Sequence, residues 1–483
     1  MQAKTEEEQE TMQTTIPGVI ACGMDVHKDK IDACVRIGDG SADGKVIIQT
    51  FSTMRKALYE LRDWLASLKC FKVLMESTGV FWMPIYWILE EVSGLNIGVG
   101  NARDLKNAPG RPKTDKEDAK WLSRLCMFGL VLKSFIVARP FRALREYTRY
   151  YKKLVQERAR QINRVEKLLQ MNGFKLSSVL SNITGVSGAK ILTKLADKGT
   201  LSVADIQAEL DKRCKHTAEE IEYAINGVMK LTSRPLLKLQ LKKIESCDKE
   251  MAEVYEHMLR LSKEHIGAIR IISSIPGMSE LSAMYIIAEI GTDLTSFKTA
   301  NHLAAWAGLA PKENQSADKA RPSKTQKANQ YVRSLMIQCA WAATKTRNTR
   351  LSLWYWRNVK RLGDKKAITA VARKLLCYVY AMLKSGALYD KSLDVAYTNN
   401  IEAQKLDTAQ KVGRCISEVL PINKSGHSKD AQLAQGLNCI HEEPGLAITQ
   451  PDNEQKPKNG IKSPNKTVPQ KKKGRPKKSA APG

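Results

Sequence analysis

The chain has 483 residues and carries 78 Lys and Arg against 50 Asp and Glu, a formal charge of +28. That length holds two or three domains with a sizeable core, and that charge favours a polyanionic partner such as DNA or RNA, without separating an enzyme from a structural RNA-binding protein. The ten cysteines form no CxxC pair and no metal-finger spacing, and several (Cys22, Cys339, Cys377) sit inside apolar runs as buried thiols would. The acidic start, Met1 to Glu10, and a longest apolar stretch of only Val80 to Leu89 predict a soluble cytoplasmic protein, nucleoid-associated if it binds DNA, with no membrane partner.

After a polar leader over residues 1–17, apolar runs predict strands near 18–26, 30–37, 45–52, 72–76 and 96–100. Helical periodicity falls near 55–68, 82–93 and 115–129. Three meandering strands followed by alternating helix and strand is the order of a ribonuclease-H-like (RuvC-like) α/β domain, here 18–135, with Asp25 central in its sheet.

Asp25 ends the run from Val19 to Met24, and Glu76 ends Val73-Leu74-Met75. Thr114 and Glu117 have capping-box spacing, which starts a helix at Asp115 and puts Asp115 and Asp118 on one face of its first turn. Any one of these acids alone is most simply a solvent-facing carboxylate. Together, in this strand order, they converge at one sheet edge. Clustered carboxylates repel unless a cation sits among them, and hard oxygen donors favour Mg2+ or Mn2+ over zinc. A metal-dependent nuclease or strand-transferase follows. His27 reads as a scaffold or phosphate-facing residue.

Residues 136–267 read as a helical spacer. Leu144, Tyr147, Tyr151, Leu154, Val165 and Leu168 lie in a/d register, interrupted by Arg158 and Gln161, and Leu237 to Met258 repeat the pattern. Such seams more often pair two helices of one chain than form an intermolecular coiled coil. Residues 268–395 read as a helical module, in which Ser274-Ile275-Pro276-Gly277-Met278 resembles a helix-hairpin-helix turn able to hold a phosphate, and Trp306 packs in the core. Past Ala396 the periodicity fades, and 396–483 reads as a low-complexity basic tail, disordered from Lys456. Within it Arg475 and Lys477 belong to an AT-hook-like Gly-Arg-Pro segment. Arg111 and Lys113 form a shorter echo, a basic loop ahead of the Asp115 helix.

Gly23-Met24-Asp25-Val26-His27-Lys28, Met75-Glu76-Ser77-Thr78-Gly79 and Lys113 to Ala119 resemble the DEDD-type transposases of bacterial insertion sequences, the IS one-ten and IS eleven-eleven group. Ile275-Pro276-Gly277, Phe297, Leu303 to Pro311 and Gln315 to Lys319 agree in the same order. The resemblance implies a DNA transposase or recombinase that cuts and rejoins insertion-sequence DNA, guided by a noncoding bridge RNA. It further implies a Mg2+-binding tetrad of Asp25, Glu76, Asp115 and Asp118 and a nucleophilic Ser316 in a carboxyl-terminal transposase domain. Lacking a nearby histidine in sequence, Ser316 needs activation from the metal site, so a composite site and a homo-oligomer, dimer or tetramer, are expected. Lys319, Arg321, Lys324 and Lys327 follow it and could neutralise phosphate. Two positions depart from the family pattern, Asp318 and Ala328, each standing where glycine is usual. The rival readings are a junction-resolving nuclease using metal-activated water and a noncatalytic nucleic-acid-binding protein.

Overall fold

A computed structural model of the chain describes residues 19–38, 45–77, 79–101, 105, 115–131, 133–311, 315–316, 319–320, 325 and 328–419. The chain divides into two units, residues 1–402 and 403–483, of which the second is described only as helix up to Val419.

The first unit begins with a five-stranded mixed sheet: β1 (Val19–Val26), β2 (Lys30–Gly38), β3 (Lys45–Ser52), β4 (Lys72–Glu76) and β5 (Asn96–Gly100). Their spatial order is β3-β2-β1-β4-β5, with β1 antiparallel to β2 and parallel to β4. Helices α1 (Arg55–Ser67) and α2 (Trp82–Leu89) make the connections, and α3 (Asp115–Phe128) follows. This is the RuvC-like fold expected from the sequence, with every strand and helix within a few residues of its predicted place.

Strand alternation sorts the sheet's two faces. Cys22, Met24, Val26, Ile31, Ala33, Val73 and Met75 form one core with Leu58, Leu61 and Leu65 of α1 and Ile85 of α2. Leu74 instead packs with Trp121, Leu122 and Leu125 of α3 on the opposite face. Burial pushes the Cys22 thiol well above the usual range and that of Cys70 up to about 12, so both behave as inert core groups.

Gly23 is what lets α3 approach so closely. A Cβ at this position would stand 2.1 Å from Ser123 N and 2.5 Å from Ala119 O, both backbone atoms. Neither can rotate away, so Gly23→Ala is expected to lose about 1–3 kcal/mol in urea unfolding, as overpacked sites do. Unchanged unfolding would show that α3 is not seated there.

A long helix, α4 (Arg139–Met171), leads into α5 (Val186–Lys198), α6 (Val203–Gln207) and α7 (Ala218–Ala224), and α8 (Ser233–Leu261) returns. Tyr147 stacks on His257 at 5.1 Å, Tyr151 meets Tyr255 at 6.4 Å, and Arg158 pairs with Asp248, so α4 and α8 run antiparallel. The predicted seams thus pair within one chain. Arg158, which interrupts the apolar register, bridges to the partner helix, while buried Gln161 donates to Glu157 at 2.7 Å. The inserted helices carry a core of their own, around Ile191, Leu195, Ile206 and Ile221.

The rest of the unit is helical: α9 (Ile266–Ser273), α10 (Glu280–Ile290), α11 (Ala300–Trp306), α12 (Gln330–Lys345), α13 (Arg350–Leu362) and α14 (Asp364–Ser385), followed by α15 (Ser392–Val419). A two-residue hairpin, β6 (Gln315–Ser316) and β7 (Lys319–Ala320), interrupts them. Phe141, Leu144 and Leu154 of α4 share one core with Ile286, Met336, Val371 and Leu375, which ties the spacer to the later helices. Trp306 packs edge-on against Phe135 and Phe297, at 5.4 and 5.3 Å. The predicted turn at Gly277 is present, with φ +86°, but a Cβ there would lie 2.5 Å from Ala343 N. Its glycine serves close packing on α12 as well as the turn. Helix α15 carries helical structure past residue 396.

Candidate functional site

Parallel strands β1, β4 and β5 end at the same edge, the usual place for a ligand on such a sheet. The register Met24↔Met75 puts the next residues, Asp25 and Glu76, at neighbouring positions there. Gly23 and Leu74, each two residues earlier, face α3, so alternation turns Asp25 and Glu76 to that face too. The far end of α3, at Cys126, feels the charge of Lys72, where β4 begins. Its first turn, with Asp118, therefore lies at the end where β1 and β4 finish. Asp118 is half-buried, whereas Asp25 and Glu76 are only 7% and 8% exposed. Asp115 is the first residue of α3, and its side chain lies outside the described residues.

His27 Nε2 stands 3.0 Å from Asp25 Oδ2, a contact to the carboxylate itself. A further acid was not singled out from the sequence. Asp32 on β2 pairs directly across from Asp25, is 1% exposed, and accepts hydrogen bonds from Lys30 Nζ at 3.1 Å and Thr50 Oγ1 at 2.5 Å. Alternation was the available signal, since Ile31, Ala33 and Val35 fill the other face. Two carboxylates opposed across an antiparallel pair repel. Lys30 offsets one and His27 is placed against the other. Among the described residues, no group of three or more His, Cys, Asp or Glu is arranged to hold a metal ion.

Ser316 lies in β6, paired with Lys319 of β7. The side chains of this hairpin, and the whole of Arg321, Lys324, Lys327, Arg111, Lys113, Arg475 and Lys477, lie outside the described residues. Pro311 bridges Thr325 at the hairpin's base, where Arg333 of α12 donates to Thr325 Oγ1 at 2.8 Å and to Gly308 O. One guanidinium thus joins Gly308, ahead of the hairpin in the chain, to Thr325, after it.

Behind this link sits a buried charge cluster. Glu289 of α10, 2% exposed, accepts from Arg149 Nε at 2.7 Å, Arg149 Nη2 at 3.0 Å and Asn329 Nδ2 at 2.8 Å, and pairs with Arg145 at 3.1 Å. Asn329 in turn caps α12 by accepting from Tyr331 N and Val332 N. Burial pushes the Glu289 carboxyl up, but the Arg149 hydrogen bonds and the two guanidinium charges outweigh it and hold it below the usual range. A cleft of about 610 Å³ runs from Ser77, beside Glu76, past Trp82 and Arg145 to Asn329 and Tyr331. Its lining reaches the start of α12, after the serine hairpin, but includes none of Asp25, Glu76 and Asp118.

A RuvC-like domain with acids at the carboxyl ends of its strands, continued by a helical region, defines a class of nucleic-acid-processing proteins. Residues 22–172 match the family of DEDD transposases of the IS110 type, and residues 269–355 match the family described as Transposase IS116/IS110/IS902. Over these two segments the chain is similar to IS110-type transposases. It is 27% identical over 146 residues to the transposase for insertion sequence element IS1111A of Coxiella burnetii, covering 29% of this chain and 40% of that one. An insertion element IS900 uncharacterized 42 kDa protein of Mycobacterium paratuberculosis is 25% identical over 47% of this chain and 55% of its own. A pilin gene-inverting protein of Moraxella bovis is 29% identical over 26% of this chain and 39% of its own. The chain therefore spans about two-fifths to just over half the length of these relatives. No helix among the described residues is long and apolar enough to cross a membrane.

Proposed function

We propose that this chain is a DNA transposase that cuts and rejoins insertion-sequence DNA through a composite site. The observation that supports the reading is the seat of α3 on Gly23, which packs the helix carrying Asp118 against the strand that ends at Asp25. Asp25, Glu76, Asp115 and Asp118 would hold Mg2+ or Mn2+, whose chemistry when bound is to polarise a phosphoryl oxygen. The chain's own part is orientation. His27 restrains Asp25, and Arg333 ties Gly308 and Thr325, which flank the Ser316 hairpin in the chain.

In this reading the Ser316 hydroxyl oxygen bonds to the scissile phosphorus as the bond to the departing strand breaks. The hydroxyl proton goes to solvent or an acidic side chain, and the departing oxygen is protonated. Reversal by another strand's hydroxyl releases the serine and rejoins DNA without outside energy. The carboxylate face and the hairpin belong to separate parts of the fold, which supports a site completed across copies of the chain. A noncoding RNA that pairs with DNA would supply sequence choice, and the charge of +28 is compatible with both polyanions.

Ser316→Ala tests the nucleophile. Cleavage of a junction made from the element's own ends is expected to fall to background, and the covalent protein–DNA adduct trapped with the unaltered chain is expected to vanish. Unchanged cleavage would assign the chemistry to metal-activated water, the resolvase reading. Sequencing RNA that copurifies from cells carrying the flanking DNA tests the guide.

A further inference from the structure

Helix α13 has the sequence Arg-Leu-Ser-Leu-Trp-Tyr-Trp-Arg-Asn-Val-Lys-Arg-Leu. Its inward side buries Leu351, Ser352 and Tyr355. Its outward side presents Trp356, 64% exposed, beside Arg357, Lys360 and Arg361. Residues 357, 360 and 361 stand three and four apart, so their like charges crowd one helix face and repel. Among the described residues none of these three cations makes an ion pair. Asp364 is the sole acid from Lys345 to Lys374, a segment otherwise dense in Lys and Arg.

A second exposed indole lies close by. Trp341 of α12 is 42% exposed and meets the Tyr355 ring at 5.9 Å, and Tyr355 meets Trp356 at 5.1 Å. The buried tyrosine wedges the two tryptophans in place, edge-on to each. Water is a poor partner for large fixed aromatic surfaces, and a solvated basic face has no use for them. What meets both features is a chain that alternates flat apolar rings with anionic links.

We propose that the exposed face of α13 binds unpaired nucleotides: a base stacks on Trp356 while Arg357, Lys360 and Arg361 hold the flanking phosphodiesters. A duplex satisfies only the second half of this, because its bases are stacked and paired. Single-stranded DNA and single-stranded RNA share the required chemistry. The site uses none of the carboxylates and not the serine, so it operates without divalent metal. The proposal extends the nucleic-acid reading above but does not need the serine mechanism.

Fluorescently labelled twelve-nucleotide dT and rU strands and a duplex of the same length are titrated into the full chain in EDTA, across a series of salt concentrations. Single strands are expected to bind more tightly than the duplex. Trp356→Ala is expected to weaken single-strand binding about fivefold to a hundredfold with its salt dependence kept, and Trp356→Phe to restore most of it. Changing Arg357, Lys360 and Arg361 together to Gln is expected to flatten the log–log salt slope by about 2. The strand type that loses more in Trp356→Ala names the source, DNA or RNA. Wild-type single-strand affinity in Trp356→Ala, or an equal loss for duplex and single strands, overturns the proposal. Asp25→Asn is the control that separates the readings, since it should lose cleavage and keep this binding.

Discussion

Asp25→Asn is expected to reduce DNA cleavage by at least about a hundredfold to a thousandfold, the usual effect of removing a group that stabilises charge at the reacting centre. The fold should survive. Asp25 faces Asp32 directly across β1 and β2, and neutralising one of two opposed carboxylates removes a repulsion while an amide can still meet His27. Melting without divalent ions is therefore expected at or above the wild-type temperature. A second readout concerns the cation alone. If these acids hold Mg2+, adding it raises the melting temperature of the unaltered chain, by an amount equivalent to about 2.7 kcal/mol at a hundred times its dissociation constant. In Asp25→Asn that rise should largely disappear. A rise of the same size in both proteins would place the cation elsewhere and remove the basis of the metal reading.

The second large effect falls on stability. Glu289→Gln keeps the shape and leaves the part-exposed Arg145 and Arg149 without their buried counter-ion. Breaking a fully buried pair on one side costs about 3–5 kcal/mol, and the loss expected here is smaller because both guanidiniums are part-exposed; urea unfolding at pH 7 measures it directly. The pH dependence follows from the direction of the shift. The folded carboxyl is held below its ordinary value, so its contribution is complete above the unfolded value of about 4.3 and is lost as pH falls through the folded one. The gap between wild type and Glu289→Gln should thus be constant near neutrality and narrow under strong acid. A gap that does not change with pH would mean that packing, not charge, accounts for it. Because Asn329 binds the same carboxylate and caps α12, the variant should also loosen the Arg333 link between Gly308 and Thr325.

Sequence patterning was sufficient for the α/β domain because each signal there is local. The runs ending at Asp25 and Glu76 are short continuous apolar stretches, as strands buried on both faces are, and the periodicity that begins at Asp115 matches the helix found. The pairing of α4 with α8 was also legible, since both seams are apolar at heptad spacing. Asp32 was not singled out, because a lone acid in an apolar strand gives no sign of which residue lies across from it. Arg333 and Glu289 were missed for a related reason. Their partners lie beyond the reach of local periodicity, Gly308 and Thr325 for one and, much farther in sequence, Arg145, Arg149 and Asn329 for the other. Trp356 stood in the sequence as one aromatic among several, and only its exposure separates it from buried Tyr355 beside it.

The sequence by itself thus determined the order of elements, the strand-end positions of Asp25 and Glu76, and the motifs shared with one transposase family. Propensity and periodicity act over a few residues and can be read from them. Tertiary structure alone decided that Gly23 admits the α3 backbone, that Asp32 opposes Asp25, and that a buried Glu289 ties α4 to the cap of α12. Each of these is a contact between segments distant in the chain, fixed by steric fit and by the need of buried charges for partners.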